Sequence, residues 1–324
     1  MTNPRATTLP RLVMPPAPVA PPVPVAGPVL STVPANCGCP SGNPQPQKLQ
    51  PMDPVTLHQM APLQRVQWYK DMLQPYQVQL ANSAACNGIP QQLLATVILN
   101  ELADINAKQD IRPQNFVINI GFQTSMKLAS WVRGGPATTM SLGIAQIQTD
   151  TAMAHGLIEE NCPPGQPQPA PAPIPTNVPE KRQEQIREDA RRELVARRLT
   201  IPQYAIEAAA REIRILLLQM TYHTANPWQQ SFGFTLQDLS SLAQPSDLYN
   251  HVSAGSPKDK EIVIAELVVA AYNSPDIVIA RHATSFTPAT SGNYATIPIY
   301  RNARIHGNNS GLIAGELYDY KLFH

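Results

Sequence analysis

Apolar residues recur at helical spacing along most of the chain, and one such stretch ends in a carboxylate. Residues 89–101 place four apolar side chains on one face of a helix: Leu93, Leu94, Val97 and Ile98. Glu101 continues the same face, so its side chain is predicted to look into the core. Burial raises the pKa of a carboxyl, which suits a general acid. The alternative is a solvated Glu in the last turn of an amphipathic helix.

The same periodicity predicts several further helices and few strands. A turn and a short helix are expected over 141–156, and the helical segments are 55–85, 124–131, 180–199, 201–220 and 261–271. The clearest strand signal is Phe116–Ile120, and Asn308–Gly311 has turn composition. The segment 180–199 alternates acids with arginines and is expected to present a solvated face, whereas 201–220 reads as core. The predicted fold class is mainly α.

Proline divides the chain into a globular part and two extended parts. The 35 prolines crowd the N-terminal residues and the segment 163–179. We therefore predict a Pro-rich, disordered arm at 1–54 and a helical domain at 55–324, with an insert at about 160–200. The arm reads as a polyproline-II spacer. The alternative is a docking strip for an aromatic-lined groove on a partner.

Charge and cysteine spacing exclude several classes of function. The net charge of +1 gives no electrostatic footprint for nucleic-acid binding. The four cysteines, which lack the spacing of a zinc site, are Cys37, Cys39, Cys86 and Cys162. We therefore expect neither a metal nor a cofactor. The cysteines do not decide between an oxidising and a reducing compartment. No apolar run is long enough to predict a transmembrane segment, and no signal peptide is visible near the N-terminus.

Four short stretches, in order, resemble the soluble lytic transglycosylases of the lysozyme superfamily. They are Ile89–Glu101, Ser141-Leu-Gly-Ile-Ala-Gln146, Ala271-Tyr-Asn273 and Pro298-Ile-Tyr300. The resemblance implies a lysozyme-like helical domain that cleaves the β-1,4 bond between N-acetylmuramic acid and N-acetylglucosamine in peptidoglycan glycan strands. In that family a single Glu acts first as acid and then as base toward the sugar's C6 hydroxyl, leaving 1,6-anhydro ends.

The resemblance also implies a role for each matching residue. Glu101 would be the catalytic acid and base. The substrate-binding residues would be Ser141, Gln146, Tyr272, Asn273 and Tyr300. Their amide, hydroxyl and aromatic groups suit a neutral saccharide. The alternative for each is structural: Tyr272 a core aromatic, Asn273 a helix-end residue, and Gln146 and Ser141 parts of a turn or helix cap.

Two other functions stay open. A hydrolytic muramidase resembling the goose-type lysozymes would need a second carboxylate, for which the candidates are Asp104, Asp110 and Asp150. A non-catalytic wall-binding or structural component is favoured by Leu102, where the family has Ser or Thr, and by Ala145, where it has Met. In every case the protein would act in the periplasm or the extracellular cell wall. Without a visible signal peptide, we expect delivery with a secretion apparatus or phage-like particle, tethered through the Pro-rich arm.

Overall fold

The computed structural model shows a mainly helical protein. It describes residues 44–48, 57–104, 112–133, 141–158, 179–225, 240, 256–273 and 301–323. Helix accounts for 81% of the interpretable residues, which confirms the predicted mainly α fold class. The rest of the arm and the Pro-rich part of the insert lie outside the described residues, so the predicted domain boundaries stay predictions.

The elements follow the apolar periodicity closely in the centre of the chain. The helices are α1 (Pro62–Leu73), α2 (Gln77–Asn87), α3 (Gln91–Asp104), α4 (Arg112–Ile120), α5 (Phe122–Arg133), α6 (Thr149–Ala154), α7 (Glu180–Leu199), α8 (Pro202–Ala225), α9 (Pro257–Asn273) and α10 (Arg301–Asp319). Short 3-10 helices span Leu57–Gln59 and Gln74–Tyr76. The strands β1 (Ser141–Leu142) and β2 (Ile147–Gln148) form an antiparallel hairpin, with Ser141 opposite Gln148.

Helix α3 is the centre of the core. Every residue from Gln92 to Leu102 is buried, because helices α2, α8, α9 and α10 pack around it. Helices α9 and α10 approach each other closely at Gly311, where an added Cβ would lie 2.3 Å from Oε1 of Glu266. Burial on all sides explains why α3 is rich in Leu, Ile and Val rather than amphipathic. The close packing around α3 therefore holds its buried side chains in fixed positions.

Two local predictions were wrong, both because tertiary packing outweighed local composition. The expected strand Phe116–Ile120 belongs to helix α4, where Gln114 and Val117 share one buried face at a spacing of three residues. The expected turn Asn308–Gly311 lies inside helix α10. Ser310 and Gly311 are both buried there. Small residues are tolerated at this position because they let α10 approach α9.

Helix α7 combines a solvated part with a buried end. Most of its N-terminal half is exposed, as predicted, but its last turns carry buried side chains at Val195, Ala196, Arg198 and Leu199. Glu193 accepts hydrogen bonds from the backbone N–H groups of Phe122 (2.9 Å) and Gln123 (3.1 Å), at the start of α5. Helix N-termini leave such N–H groups unpaired, so Glu193 caps α5. The charged helix is therefore built into the domain.

A buried ion pair joins the first and last described helices. The guanidinium of Arg65, on α1, donates from Nε to both carboxylate oxygens of Glu316, on α10, at 2.9 Å. Tyr69 donates its hydroxyl to the same carboxylate at 2.8 Å. Each of these three residues is at most 8% exposed. Each buried charge therefore has a partner of opposite sign, and without that partner its burial would be strongly unfavourable.

Two further features bear on the environment of the protein. Cys86, near the end of α2, is disulfide-bonded. Across the described ranges, no helix is both long enough and apolar enough to cross a membrane.

Candidate functional site

Glu101 lies in the last turns of α3, with its side chain in the core as the sequence predicted. The residue is 7% exposed, whereas Val97 and Ile98 on the preceding turn are fully buried. Its Oε1 atom accepts a hydrogen bond from Nδ2 of Asn273 at 3.2 Å and a longer one from Nδ2 of Asn100 at 3.4 Å. The solvated interpretation of Glu101 is therefore wrong. A buried carboxylate served by amide donors can exchange a proton with a bound molecule.

Asn273 is the last residue of α9, as its structural alternative predicted, and its side chain also reaches Glu101. Its Nδ2 atom lies 3.2 Å from the carbonyl oxygen of Val269, one turn earlier, and 3.2 Å from Glu101. The residue is exposed although Glu101 is buried. The pair therefore connects the buried carboxylate to the protein surface, where a long polymer could reach it.

Tyr272 ties α9 to the hairpin turn. Its hydroxyl donates a hydrogen bond to the carbonyl oxygen of Ala145 at 2.9 Å. Burial holds the pKa of Tyr272 well above its usual value, and the negative charges of Glu101 and Glu212 raise it further. The hydroxyl is thus protonated at neutral pH, and it acts as a donor rather than as a base.

The segment Ser141–Gln148 forms the hairpin, and the four residues between its strands, Gly143–Gln146, form the hairpin turn. Gly143 has a φ of +77° and Gln146 a φ of +48°. Gln146 donates from Nε2 to the carbonyl oxygen of Gly143 at 2.8 Å, while its Oε1 is buried without a partner among the described residues. Ser141 is half-buried on β1. The turn thus holds an amide acceptor available to a bound hydroxyl or amide.

The three segments carrying the predicted site residues come together, but one predicted residue cannot be placed. Glu101 contacts Asn273, and Tyr272 contacts the turn that contains Gln146. Tyr300 lies outside the described residues, as does Asp110. The other two candidates for a second carboxylate are placed: Asp104 is exposed at the end of α3, and Asp150 lies 3.6 Å from Arg192.

Sequence reasoning missed Glu212, a buried carboxylate on α8. Its Oε2 lies 2.7 Å from Nδ1 of His155, at the end of α6, and the residue is 4% exposed. The charge of Glu212 contributes to the raised pKa of Tyr272, as does that of Glu101. Burying a carboxylate is costly unless it is paired, so a Glu at a core-facing position of α8 is a signal that could have indicated a special role.

The described residues offer no obvious metal site, since none of their His, Cys, Asp and Glu side chains form a cluster of three or more. The chain matches no protein-family model, no curated protein and no solved structure.

Proposed function

We propose that this protein is a peptidoglycan-cleaving lytic transglycosylase with Glu101 as its single catalytic acid and base, built on a lysozyme-like helical domain. The observation that carries the proposal is the hydrogen bond between Asn273 and the buried Glu101. It brings together two of the four segments that resemble the family, and Tyr272 adds the third through Ala145.

Glycosidic cleavage needs a proton at the leaving oxygen as positive charge develops on the sugar ring. Glu101 is buried but is joined to the surface through Asn273, so its carboxyl would deliver that proton to a sugar bound there. Once ionised, the carboxylate would be held by the amide of Asn273, and it could then accept a proton from the sugar's C6 hydroxyl. That second step forms the 1,6-anhydro ring without water.

The substrate lies outside the cytoplasmic membrane, and the disulfide at Cys86 supports action in an oxidising compartment such as the periplasm or cell wall. The Pro-rich arm would tether the protein to the secretion apparatus or phage-like particle that delivers it. Peptidoglycan glycan strands are the proposed partner of the candidate site around Glu101.

Hydrolysis is the second candidate. A hydrolase needs a second carboxylate to position or activate water, and the buried Glu212 on α8 would supply it in place of the aspartates that the sequence suggested.

Mass spectrometry of muropeptides released from purified peptidoglycan distinguishes these outcomes. A transglycosylase gives products with 1,6-anhydro ends, one water lighter than products with reducing ends. Reducing ends that disappear in Glu212→Gln would establish the hydrolase instead. If neither the wild-type protein nor any variant releases products, the enzyme proposal fails and a wall-binding or structural role replaces it.

A further inference from the structure

Part of the Pro-rich arm is bound to the helical domain. The backbone N–H of Gln47 donates to the carbonyl oxygen of Thr200 at 2.9 Å, at the junction of α7 and α8. Its carbonyl oxygen accepts a hydrogen bond from Nε2 of Gln114, on α4, also at 2.9 Å. Its side chain accepts one from the hydroxyl of Tyr76. Residues 44–48, which we call the docked segment, are thus held from three directions.

Gln114 connects the docked segment to the hairpin turn. Its Nε2 binds Gln47, and its Oε1 accepts a hydrogen bond from the backbone N–H of Gly143 at 2.6 Å. The residue is 1% exposed. A primary amide can donate at one end and accept at the other, so one buried side chain completes both backbone contacts. Losing one partner would leave a buried polar group unsatisfied.

Gly143 is in turn confined by the same junction that binds Gln47. A Cβ at Gly143 would lie 2.2 Å from the carbonyl oxygen of Leu199, the residue before Thr200. The carbonyl oxygen of Gly143 accepts the side-chain amide of Gln146. The contacts therefore run without interruption from Gln47 through Gln114 and Gly143 to Gln146.

We propose that the docked segment is part of the candidate site, and that Gln47 and Gln114 are positioning residues that hold the Gly143–Gln146 turn. Engagement of the arm then sets how well the turn is ordered. A partner that pulls the upstream arm would act directly against these hydrogen bonds. The consequence for catalysis rests on the proposed function, but the coupling of the arm to the turn does not.

Amide hydrogen exchange tests the coupling without any substrate. In the full-length chain, Gln47→Pro removes the N–H that binds Thr200 and the side chain that binds Tyr76, while the extended backbone favoured around Pro44 and Pro46 is kept. The matched control is Lys48→Pro, because Lys48 is exposed and makes no hydrogen bond within the described residues.

We expect the Gly143 amide to exchange about tenfold faster in Gln47→Pro, because a tenfold change corresponds to the free energy of one ordinary hydrogen bond. In the control, its exchange rate should be unchanged. Gln114→Met keeps an unbranched side chain of similar length but removes both bonds, and it should accelerate the same amide at least as much. Equal Gly143 exchange in Gln47→Pro and Lys48→Pro would overturn the proposal, whereas Gln114→Met removes the acceptor of the Gly143 N–H directly and serves as the positive control. Should Gln47→Pro fail to fold, Tyr76→Phe decides it by the same readout, because it removes only a contact of the docked segment.

Kinetics on peptidoglycan separate this proposal from the proposed function. With accelerated exchange, Gln47→Pro should raise KM more than it lowers kcat, because Gln146 is a binding residue remote from proton transfer. A wild-type protein that releases no muropeptides, with Gly143 exchange still coupled to Gln47, would refute the proposed function and leave the coupling standing. A wild-type protein that releases muropeptides normally, with Gly143 exchange unaffected by Gln47→Pro, would refute the coupling and leave the proposed function standing.

Discussion

Asn273 donates a hydrogen bond from Nδ2 to Oε1 of Glu101 across 3.2 Å, joining an exposed residue at the end of α9 to a buried carboxylate in α3. The two residues are far apart in the chain, and each has an ordinary structural explanation by itself. Together they form an amide-supported carboxylate beside the surface. This relationship is the basis of the proposed chemistry.

Replacing Asn273 should lower both kcat and stability. Asn273→Ala removes a donor to an ionised carboxylate, a bond worth about 1.5–3 kcal/mol, so kcat should fall about tenfold or more. The free energy of unfolding should fall by no more than about 3 kcal/mol, because the same bond is present in the free protein. Asn273→Asp provides the comparison: a like charge beside Glu101 disfavours ionisation, and activity should extend to higher pH. Unchanged kcat in both variants would remove Asn273 from the mechanism.

The hairpin turn should not tolerate a side chain at Gly143. Gly143→Ala would place Cβ 2.2 Å from the carbonyl oxygen of Leu199 at a positive φ, so we expect a loss of about 3 kcal/mol or more in urea unfolding. Gly156→Ala is the matched control, because Gly156 also has a positive φ but no atom within 4 Å of the added Cβ. It should cost only about 1 kcal/mol, the strain of the backbone alone. Similar losses in the two variants would show that packing against Leu199 is unimportant.

Helix α9 carries a carboxyl whose ionisation opposes folding. Burial raises the pKa of Glu266 from 4.5 to about 7, beside Gly311 of α10. The folded state therefore holds its proton more tightly than the unfolded state. The stability gained from the neutral form is complete below about pH 4.5 and is lost as the pH rises through 7.

Glu266→Gln should accordingly raise the free energy of unfolding by about 3 kcal/mol at pH 8 and leave it nearly unchanged at pH 4. Thermal melts at both pH values measure this difference. The exposed residue Glu184, replaced in the same way, controls for the general effect of removing a negative charge. A gain at pH 8 equal to that of Glu184→Gln would contradict the account.

The ion pair between α1 and α10 should be costly to break but not to replace. Glu316→Ala leaves the buried Arg65 without its partner, and the expected loss is about 3–5 kcal/mol. The triple variant Arg65→Met, Tyr69→Phe and Glu316→Leu should recover most of that loss, because it leaves neither a buried charge nor the buried Tyr69 hydroxyl without a partner. Denaturant titration of both variants provides the test, and a triple variant less stable than Glu316→Ala would show that the charges themselves are required.

The sequence predicted the central carboxylate well because burial in α3 follows from local spacing. Periodic Leu, Val and Ile residues determine which face of the helix meets the core, and Glu101 shares that face. The order of the four family-like segments also led to Tyr272 and Asn273, although not to the atoms that they contact.

Other features depend on packing between distant segments and leave little local signal. Helix α10 runs through Asn308–Gly311 because small residues fit against α9, whereas the same residues in isolation favour a turn. Glu212 lies in an apolar helix, and only the fold shows that it faces His155 and influences Tyr272. The docking of Gln47 through Gln114 involves two glutamines with no distinctive pattern around them.

The most direct test of the central claim compares Glu101→Gln with wild type in two assays on purified sacculi: the rate of muropeptide release and the amount of protein bound. The substitution keeps the shape of the side chain and an oxygen that can accept from Asn273, but it cannot donate a carboxylic proton. We predict that release falls by at least about a thousandfold, as expected for loss of the catalytic acid, while binding is retained. Release at near wild-type rates by a folded Glu101→Gln would contradict the assignment of Glu101 as the catalytic acid.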